Sequence, residues 1–177
     1  MWLPCRKMTL YRPIQPRIST LAVIPHGEAG TLATLEIMAR VVRESRIDAR
    51  LRDTALCIIA HVPSKNTWQE AEAVQEWIRD NIRYTSDVWD VETLQDPITL
   101  LQSRNGDCDD MSTLAATLLN CIGVECRFIA VAFNFEEYSH VLPQARIGGK
   151  WVTVETTENV TLGWYPPDVT KQLVVAI

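Results

Sequence analysis

Apolar residues recur at every third or fourth position over much of the first two thirds of the chain, which is the period of amphipathic helices. The pattern predicts one helix over residues 31–45. It predicts a second helix over residues 48–61, which ends before Pro63 because proline cannot continue a helix. Residues 1–28 contain four prolines and show no helical period, so they are expected to form an extended arm, with one strand near residues 18–24.

Two further helices are marked by residues that typically begin helices. Thr67 and Glu70 have the spacing of a capping box, and the helix that they begin is expected to end near Asn81. Asp96 and Pro97 form a second start signal, with an aspartate cap and a proline at the first helical position. The helix after Pro97 is expected to be short.

The dipeptide Asn105-Gly106 predicts a turn, and the apolar spacing after it predicts another helix that Gly123 closes. Strands are predicted next, with a tight hairpin turn at Gly148-Gly149 between two of them. The strand-like segments are residues 124–133, 138–147, 150–156 and 172–177.

Helices come first in this order of elements and antiparallel strands come afterwards, which predicts an α+β fold and not a doubly wound one. We therefore expect an extended N-terminal arm over residues 1–28 and a single domain over residues 29–177. The chain has 177 residues and is 47% hydrophobic, so such a domain can bury a sizeable core.

The charge of the chain is modest and slightly acidic, with a formal net charge of −5. No basic run or stripe is present, so nucleic acid and membrane surfaces are not expected partners. The N-terminus lacks the pattern of a signal peptide, and no apolar run approaches the roughly 20 residues needed to span a bilayer. We therefore expect a cytoplasmic protein, or a virion protein if a phage encodes it.

The five cysteines are an odd number, and no Cys-x-x-Cys pair occurs. A disulfide framework or a zinc site is therefore not expected, and we predict reduced thiols with no metal and no cofactor. Cys57, Cys121 and Cys126 lie in apolar segments, as structural cysteines do, whereas polar residues flank Cys108 on both sides.

The position of Cys108 in the first turn of a predicted helix is typical of a nucleophile. The unpaired N–H groups and the positive dipole end at a helix start favour a thiolate, which is the reactive form. A base is also needed, and the chain has three histidines. His26 lies in the arm and His61 at a predicted helix end, whereas His140 lies in a strand after the cysteine helix. The alternative for Cys108 is a buried structural cysteine.

Spacing across the predicted hairpin turn tests whether His140 can lie near an acidic residue. Counting outward from the turn pairs Ile147 with Lys150 and places His140 and Glu155 on one sheet face as diagonal neighbours, at roughly 7–8 Å between backbones. A glutamate side chain can close that gap. The other sheet face is apolar and is a predicted core face, formed by Val141, Ala145, Ile147, Val152 and Val154.

Pro143 argues against this count, because it falls at a hydrogen-bonded pair although it has no N–H to donate. A bulge or an edge position would accommodate it. Spacing alone therefore leaves two interpretations equally open, a Cys–His–Glu site and three unrelated residues.

Five segments in sequence order resemble the motifs of the transglutaminase-like superfamily. They are the helix of residues 74–84, the Asp-Pro and Gly-Asp-Cys motifs within 96–110, the leucine-rich helix and Gly-Val step of 118–127, the Ser-His-Val strand of 139–141 and the Trp-to-Thr strand of 151–157. The resemblance covers about residues 67–157 and is greatest to small stand-alone bacterial or phage members. It implies a papain-like core, in which the nucleophile helix packs on an antiparallel sheet.

The resemblance also implies acyl transfer at a protein or peptide amide through a thioester. Cys108 would attack the carbonyl, His140 would carry the proton and Glu155 would hold the imidazole tautomer. The backbone N–H of Cys108 would supply half of an oxyanion hole, and Tyr84 is the candidate for the second donor. The alternative for Tyr84 is a partly buried tyrosine that closes a helix.

The chain departs from the family pattern at two places that bear on activity. Glu155 stands where the family usually has Asp, and Leu142 and Gln144 stand where aromatic and acidic residues are often found. Three functions stay open: cysteine peptidase or amidase hydrolysis, which we favour because small stand-alone members resemble hydrolases; protein cross-linking by a transglutaminase; and a non-catalytic structural protein, such as a phage virion component, that joins a larger assembly through its N-terminal arm.

Overall fold

The computed structural model describes residues 26–86, 93–134 and 137–177. The predicted α+β class is confirmed. The elements in chain order are α1 (Glu28–Ser45), α2 (Ala49–Ile58), α3 (Thr67–Asn81), β1 (Arg83–Tyr84), α4 (Pro97–Ser103), β2 (Asn105–Gly106), α5 (Cys108–Cys121), β3 (Cys126–Ala132), β4 (His140–Ile147), β5 (Lys150–Thr153) and β6 (Lys171–Ala176). Residues 1–25 of the predicted arm, with the strand expected near 18–24, lie outside the described residues.

Four strands form one antiparallel sheet in the order β5-β4-β3-β6. Helices α1 and α5 pack on one face of this sheet, with α5 against β3 and β4 and α1 against β3 and β6. The core between them is apolar and fully enclosed, as Met38, Leu114 and Phe128 show with exposures of 0%. No helix in the described part of the chain is long and apolar enough to cross a membrane.

The hairpin between β4 and β5 has the predicted register. Ile147 pairs with Lys150 across Gly148 and Gly149, and both glycines have positive φ angles, 56° and 79°, as a two-residue turn of this kind requires. The predicted core face is also confirmed, because Val141, Ala145, Ile147, Val152 and Val154 all belong to or pack against the core.

Pro143 is accommodated without a bulge in the register. Its carbonyl accepts a hydrogen bond from the N–H of Val154 at 2.9 Å. The amide and carbonyl of one strand residue point to the same neighbour, so the missing N–H also faces the β5 side. The β4–β5 ladder ends at the pair Gln144–Thr153, so Pro143 lies just beyond it.

The capping-box prediction at Thr67 is wrong by one residue. The cap is Asn66, whose side chain accepts from the backbone N–H of Gln69 at 3.2 Å, and Thr67 is the first helical residue. The predicted cap at Asp96 is confirmed, since its side chain accepts from the N–H of Ile98 and Pro97 follows it.

The turn predicted at Asn105-Gly106 is replaced by a short strand. Arg104 ends α4 in the left-handed conformation, with φ of 60°, and the next two residues form β2. Strand β2 pairs in parallel with β1, and the pairing places Tyr84 opposite Gly106. This two-strand contact brings Tyr84 next to the segment that leads into Cys108.

Cys57 is disulfide-bonded, so the prediction that the thiols are all reduced is wrong for this residue. Cys108, Cys121 and Cys126 are free. Cys126 is buried in the core at 2% exposure, as expected for a structural cysteine.

Candidate active site

The start of helix α5 carries the candidate nucleophile. Asp107 caps the helix, since its side chain accepts from the N–H groups of Asp109 and Asp110 at 3.1 Å each. Cys108 is therefore the first helical residue, as the sequence predicts. Gly106 leaves no room for a side chain, because a Cβ atom there would lie 2.7 Å from Leu100 Cδ1 and 2.8 Å from Asp110 Cβ.

Asp110 is a structural acid that sequence reasoning did not single out. Its side chain is buried at 2% exposure. It accepts from the backbone N–H of Gln95 and from the Gln95 side-chain amide, both at 2.7 Å. These bonds tie the segment before α4 to the first turn of α5, so Asp110 supports the position of Cys108.

The sulfur of Cys108 lies against strand β4, which carries His140. The backbone N–H of Val141, the next residue after His140, lies close enough to this sulfur to lower its pKa. The sulfur itself donates to Oδ1 of Asp109 at 3.5 Å. The hydroxyl of Ser112, one turn along α5, donates to the Val141 carbonyl at 3.1 Å. The hydrogen bond from Ser112 thus holds the first turns of α5 against the start of β4.

The surroundings of Cys108 favour the protonated thiol over the thiolate. Burial, chiefly, raises the pKa of Cys108 well above its usual range, and the carboxylates of Asp109 and Asp107 raise it further. The Val141 N–H opposes this rise but does not reverse it. The direction of this pKa is opposite to the one that the helix start predicts, because burial and two neighbouring acids outweigh the effect of the helix start.

His140 and Glu155 meet directly. Nε2 of His140 lies 2.8 Å from Oε2 of Glu155, which confirms the contact that the hairpin register predicts. The Glu155 side chain is 1% exposed, and that of His140 is 17% exposed. The contact uses Nε2, so Nδ1 is the ring nitrogen left for another partner.

The second carboxylate oxygen of Glu155 is held by the residues that follow it. Oε1 accepts from the Thr157 N–H at 2.6 Å, the Thr157 hydroxyl at 2.7 Å and the Glu158 N–H at 3.3 Å. Burial alone would raise the pKa of Glu155, but the hydrogen bond and charge of His140, aided by Thr157, hold this pKa below its usual range. The carboxylate is therefore ionised and fixed in place.

Helix α3 fastens the segment that carries Glu155. The Gln75 side chain is buried at 1% exposure, and its amide donates to the Glu155 carbonyl at 2.7 Å and to the Val160 carbonyl at 3.4 Å. Nη1 of Arg79 donates to the same Val160 carbonyl at 2.5 Å. The sequence signal for these residues is weak, a glutamine in an otherwise apolar helix face.

A cavity of about 790 Å³ opens on the His140–Glu155 side of the site. Cys108 is not among its lining residues. The lining comprises Tyr84, Phe133, Asn134, Ser139, His140, Glu155, Thr157, Glu158, Val160, Trp164, Pro166, Pro167 and Asp168. Among the described residues, no group of three His, Cys, Asp or Glu side chains has an arrangement that could hold a metal ion.

Tyr84 lines the cavity with half of its surface exposed. Burial raises the pKa of Tyr84, and the nearby carboxylates of Asp107 and Asp109 raise it further. The pairing of β1 with β2 places Tyr84 opposite Gly106, so the tyrosine lies near the acidic residues that flank Cys108. Its role as an oxyanion donor stays a prediction.

Helices packed on an antiparallel sheet, with the cysteine helix α5 against its central strands β3 and β4, are the arrangement of papain-like α+β folds. The sequence profile of the transglutaminase-like superfamily matches residues 58–156, more than half of the chain. The protein therefore belongs to the transglutaminase-like superfamily. Among curated proteins, none matches the chain by sequence.

Solved structures from several bacteria share the fold. A proposed cysteine protease from Cytophaga hutchinsonii has 18% identity and a TM-score of 0.52 over 73% of this chain and 47% of its own. A proposed protease from Parabacteroides distasonis has 16% identity and a TM-score of 0.58 over 78% of this chain and 31% of its own. Calcium-bound LapG from Legionella pneumophila has 18% identity and a TM-score of 0.54 over 77% of this chain and 80% of its own.

These identities are low, so the structural likeness shows the fold alone. The chain also spans less than half the length of the first two proteins, at 47% and 31%. What those whole proteins do is therefore not transferred to this chain as a finding.

Proposed function

We propose that the protein hydrolyses amide bonds in peptides or proteins through Cys108, His140 and Glu155. The observation that carries this proposal is the 2.8 Å contact between His140 and a buried, ionised Glu155. A buried carboxylate that receives three hydrogen bonds on one oxygen and an imidazole on the other is arranged to stabilise an imidazolium. That is the task of the third member of such a triad.

The resting thiol sets the order of the proton transfers. Because burial and the carboxylates of Asp107 and Asp109 keep Cys108 protonated, we expect its proton to pass to His140 as the sulfur attacks the carbonyl carbon. The proton goes to Nδ1, since Nε2 faces Glu155. The carbon–nitrogen bond then breaks, the imidazolium returns the proton to the leaving amine and a thioester remains.

Hydrolysis of the thioester completes the cycle. His140, neutral again, takes a proton from water as the water oxygen attacks the thioester carbonyl. The carbon–sulfur bond breaks, the thiol of Cys108 regains the proton and a carboxylic acid is released. The backbone N–H of Cys108 is unused within the helix and supplies one oxyanion donor, with the Tyr84 hydroxyl as the second in this proposal.

Water is the proposed acceptor, in place of a lysine amine. Glu158 and Asp168 line the cavity, and no lysine or arginine lines it in the described part of the chain. A lysine must lose its proton before it can attack, whereas nearby carboxylates stabilise its ammonium form. The cavity therefore favours hydrolysis over cross-linking.

A second candidate is a non-catalytic structural protein built on this fold. The observation that favours it is the environment of Cys108, which is partly buried, has a raised thiol pKa and is not part of the cavity wall. A cysteine that had lost its catalytic task would show the same features.

Cleavage of a mixed peptide library, followed by mass spectrometry, separates the candidates. The proposal expects new peptide termini with the unchanged protein and at least a hundredfold slower cleavage with Cys108→Ala or His140→Ala. Cys121→Ala is the matched control and is expected to cleave normally. Absence of cleavage, or equal cleavage by Cys108→Ala, would support the structural alternative. Incorporation of a labelled primary amine into protein would instead indicate cross-linking.

A further inference from the structure

The cavity beside His140 has apolar walls. Its lining includes three aromatic rings and two prolines, namely those of Tyr84, Phe133, Trp164, Pro166 and Pro167. Such rings offer flat surfaces on which the aliphatic stem of a long side chain can pack. They also attract a cation placed over the ring face.

The charges around the cavity are of one sign. Three carboxylates line it, and His140 is the one lining side chain among the described residues that can become positive. The carboxylate of Glu155 already contacts the His140 imidazole and accepts a hydrogen bond from Thr157. Glu158 and Asp168 are exposed, and their carboxylates form no ion pair or hydrogen bond with other described residues.

The residues on either side of Cys108 add to the negative charge near the cavity. Asp107 and Asp109 flank Cys108, and both act on the neighbouring Tyr84 that lines the cavity. A cleft with low-dielectric walls and charges of one sign concentrates ligands of the opposite charge. The cavity and the residues beside Cys108 therefore both favour a positively charged substrate.

We propose that this cavity selects substrates with a lysine or arginine side chain close to the scissile amide. The stem of that side chain packs against Trp164 and the prolines, and its cationic head lies between Glu158 and Asp168. This inference rests on the proposed hydrolysis at Cys108, because it assigns the cavity to the acyl donor. An acidic side chain at the same place meets the carboxylates of Glu158 and Asp168, finds no lysine or arginine among the described lining residues, and is disfavoured.

Three peptides that differ at one position test this selectivity. The variable residue is lysine, its neutral isostere norleucine, or glutamate. We expect kcat/KM to fall from lysine to norleucine by about tenfold, and to be lowest for glutamate.

In the double variant Glu158→Gln, Asp168→Asn the ratio of kcat/KM for the lysine peptide to that for the norleucine peptide is expected to fall close to one. A matched variant, Glu44→Gln with Asp53→Asn, changes the net charge equally on exposed helix surfaces and is expected to keep the ratio. Equal cleavage of the lysine and norleucine peptides by the unchanged protein would overturn the proposal.

A labelling experiment separates failure of this inference from failure of the proposed hydrolysis. Methanethiosulfonate reagents with an ammonium or a sulfonate group modify thiols without any turnover. The ammonium reagent is expected to label Cys108 faster than the sulfonate reagent, and the Glu158→Gln, Asp168→Asn variant is expected to reduce that ratio several-fold. If no peptide is cleaved but this dependence holds, the cation preference stands and hydrolysis fails. If peptides are cleaved and neither ratio depends on Glu158 and Asp168, hydrolysis stands and the cation preference is contradicted.

Discussion

Oε2 of Glu155 lies 2.8 Å from Nε2 of His140, at the point where the β4–β5 hairpin opens. The two residues are diagonal neighbours on one sheet face, so a side chain must bridge a longer gap than directly opposite residues do. Glutamate reaches across this gap with its extra methylene while Thr157 holds its other oxygen at 2.7 Å. The departure from the family's usual aspartate is therefore compatible with a formed His–carboxylate pair.

Thr157 should act as a positioning residue for the Glu155 carboxylate. Thr157→Val removes the hydroxyl donor to Oε1 and keeps the side-chain volume. Because that donor lowers the pKa of Glu155, we expect the acidic limb of the kcat profile to move to higher pH and kcat to fall about tenfold. Thr157→Ser keeps the hydroxyl and is expected to restore both. Unchanged pH profiles for Thr157→Val would show that the hydroxyl does not tune the carboxylate.

Gln75 should stabilise the fold through the two carbonyls that it binds. Gln75→Leu leaves the buried carbonyl of Glu155 without its 2.7 Å donor, which is expected to lower the free energy of unfolding by about 1–3 kcal/mol. Gln69→Leu, the same change at an exposed helix position, is expected to cost less than about 0.5 kcal/mol. Urea unfolding of both variants measures the difference, and equal losses would contradict this account.

Local sequence signals predicted the hairpin and the contact between His140 and Glu155. Two adjacent glycines between strands specify a two-residue turn, and the turn then fixes every pair along β4 and β5. Pro143 did not disturb this register, because its missing N–H falls beyond the end of the ladder. The contact between His140 and Glu155 thus follows from counting along the hairpin.

Other features depend on contacts that no local pattern encodes. The parallel pairing of Tyr84 with Gly106 joins two-residue strands, which are too short to show a period. The raised pKa of Cys108 depends on burial by the rest of the fold, so the helix position alone predicted the wrong direction. Gln75 is an ordinary helical residue in sequence, and its bond to Glu155 appears only once α3 packs against the sheet.

Glu155 should also make the stability of the fold depend on pH in the acidic range. Its folded pKa is lowered, so its contribution to stability is fully present above the unfolded pKa, about 4.3, and is lost as the pH falls through the folded value. Glu155→Gln is therefore expected to unfold at lower urea concentration than the unchanged protein at pH 7. The gap between the two should shrink as the pH falls below about 4. A gap that stays constant from neutral pH to pH 3 would show that Glu155 titrates normally.

Competition between Cys108 and Cys121 for iodoacetamide tests the central claim, that His140 is the base for Cys108. Burial raises the pKa of Cys121 to about 11, whereas that of Cys108 is raised further by burial and two carboxylates. Thiolate population alone would therefore favour labelling of Cys121. If His140 takes the thiol proton, Cys108 is labelled first near pH 7.5, and His140→Ala reverses the order. Faster labelling of Cys121 in the unchanged protein, or an order that His140→Ala leaves unaltered, would contradict the account.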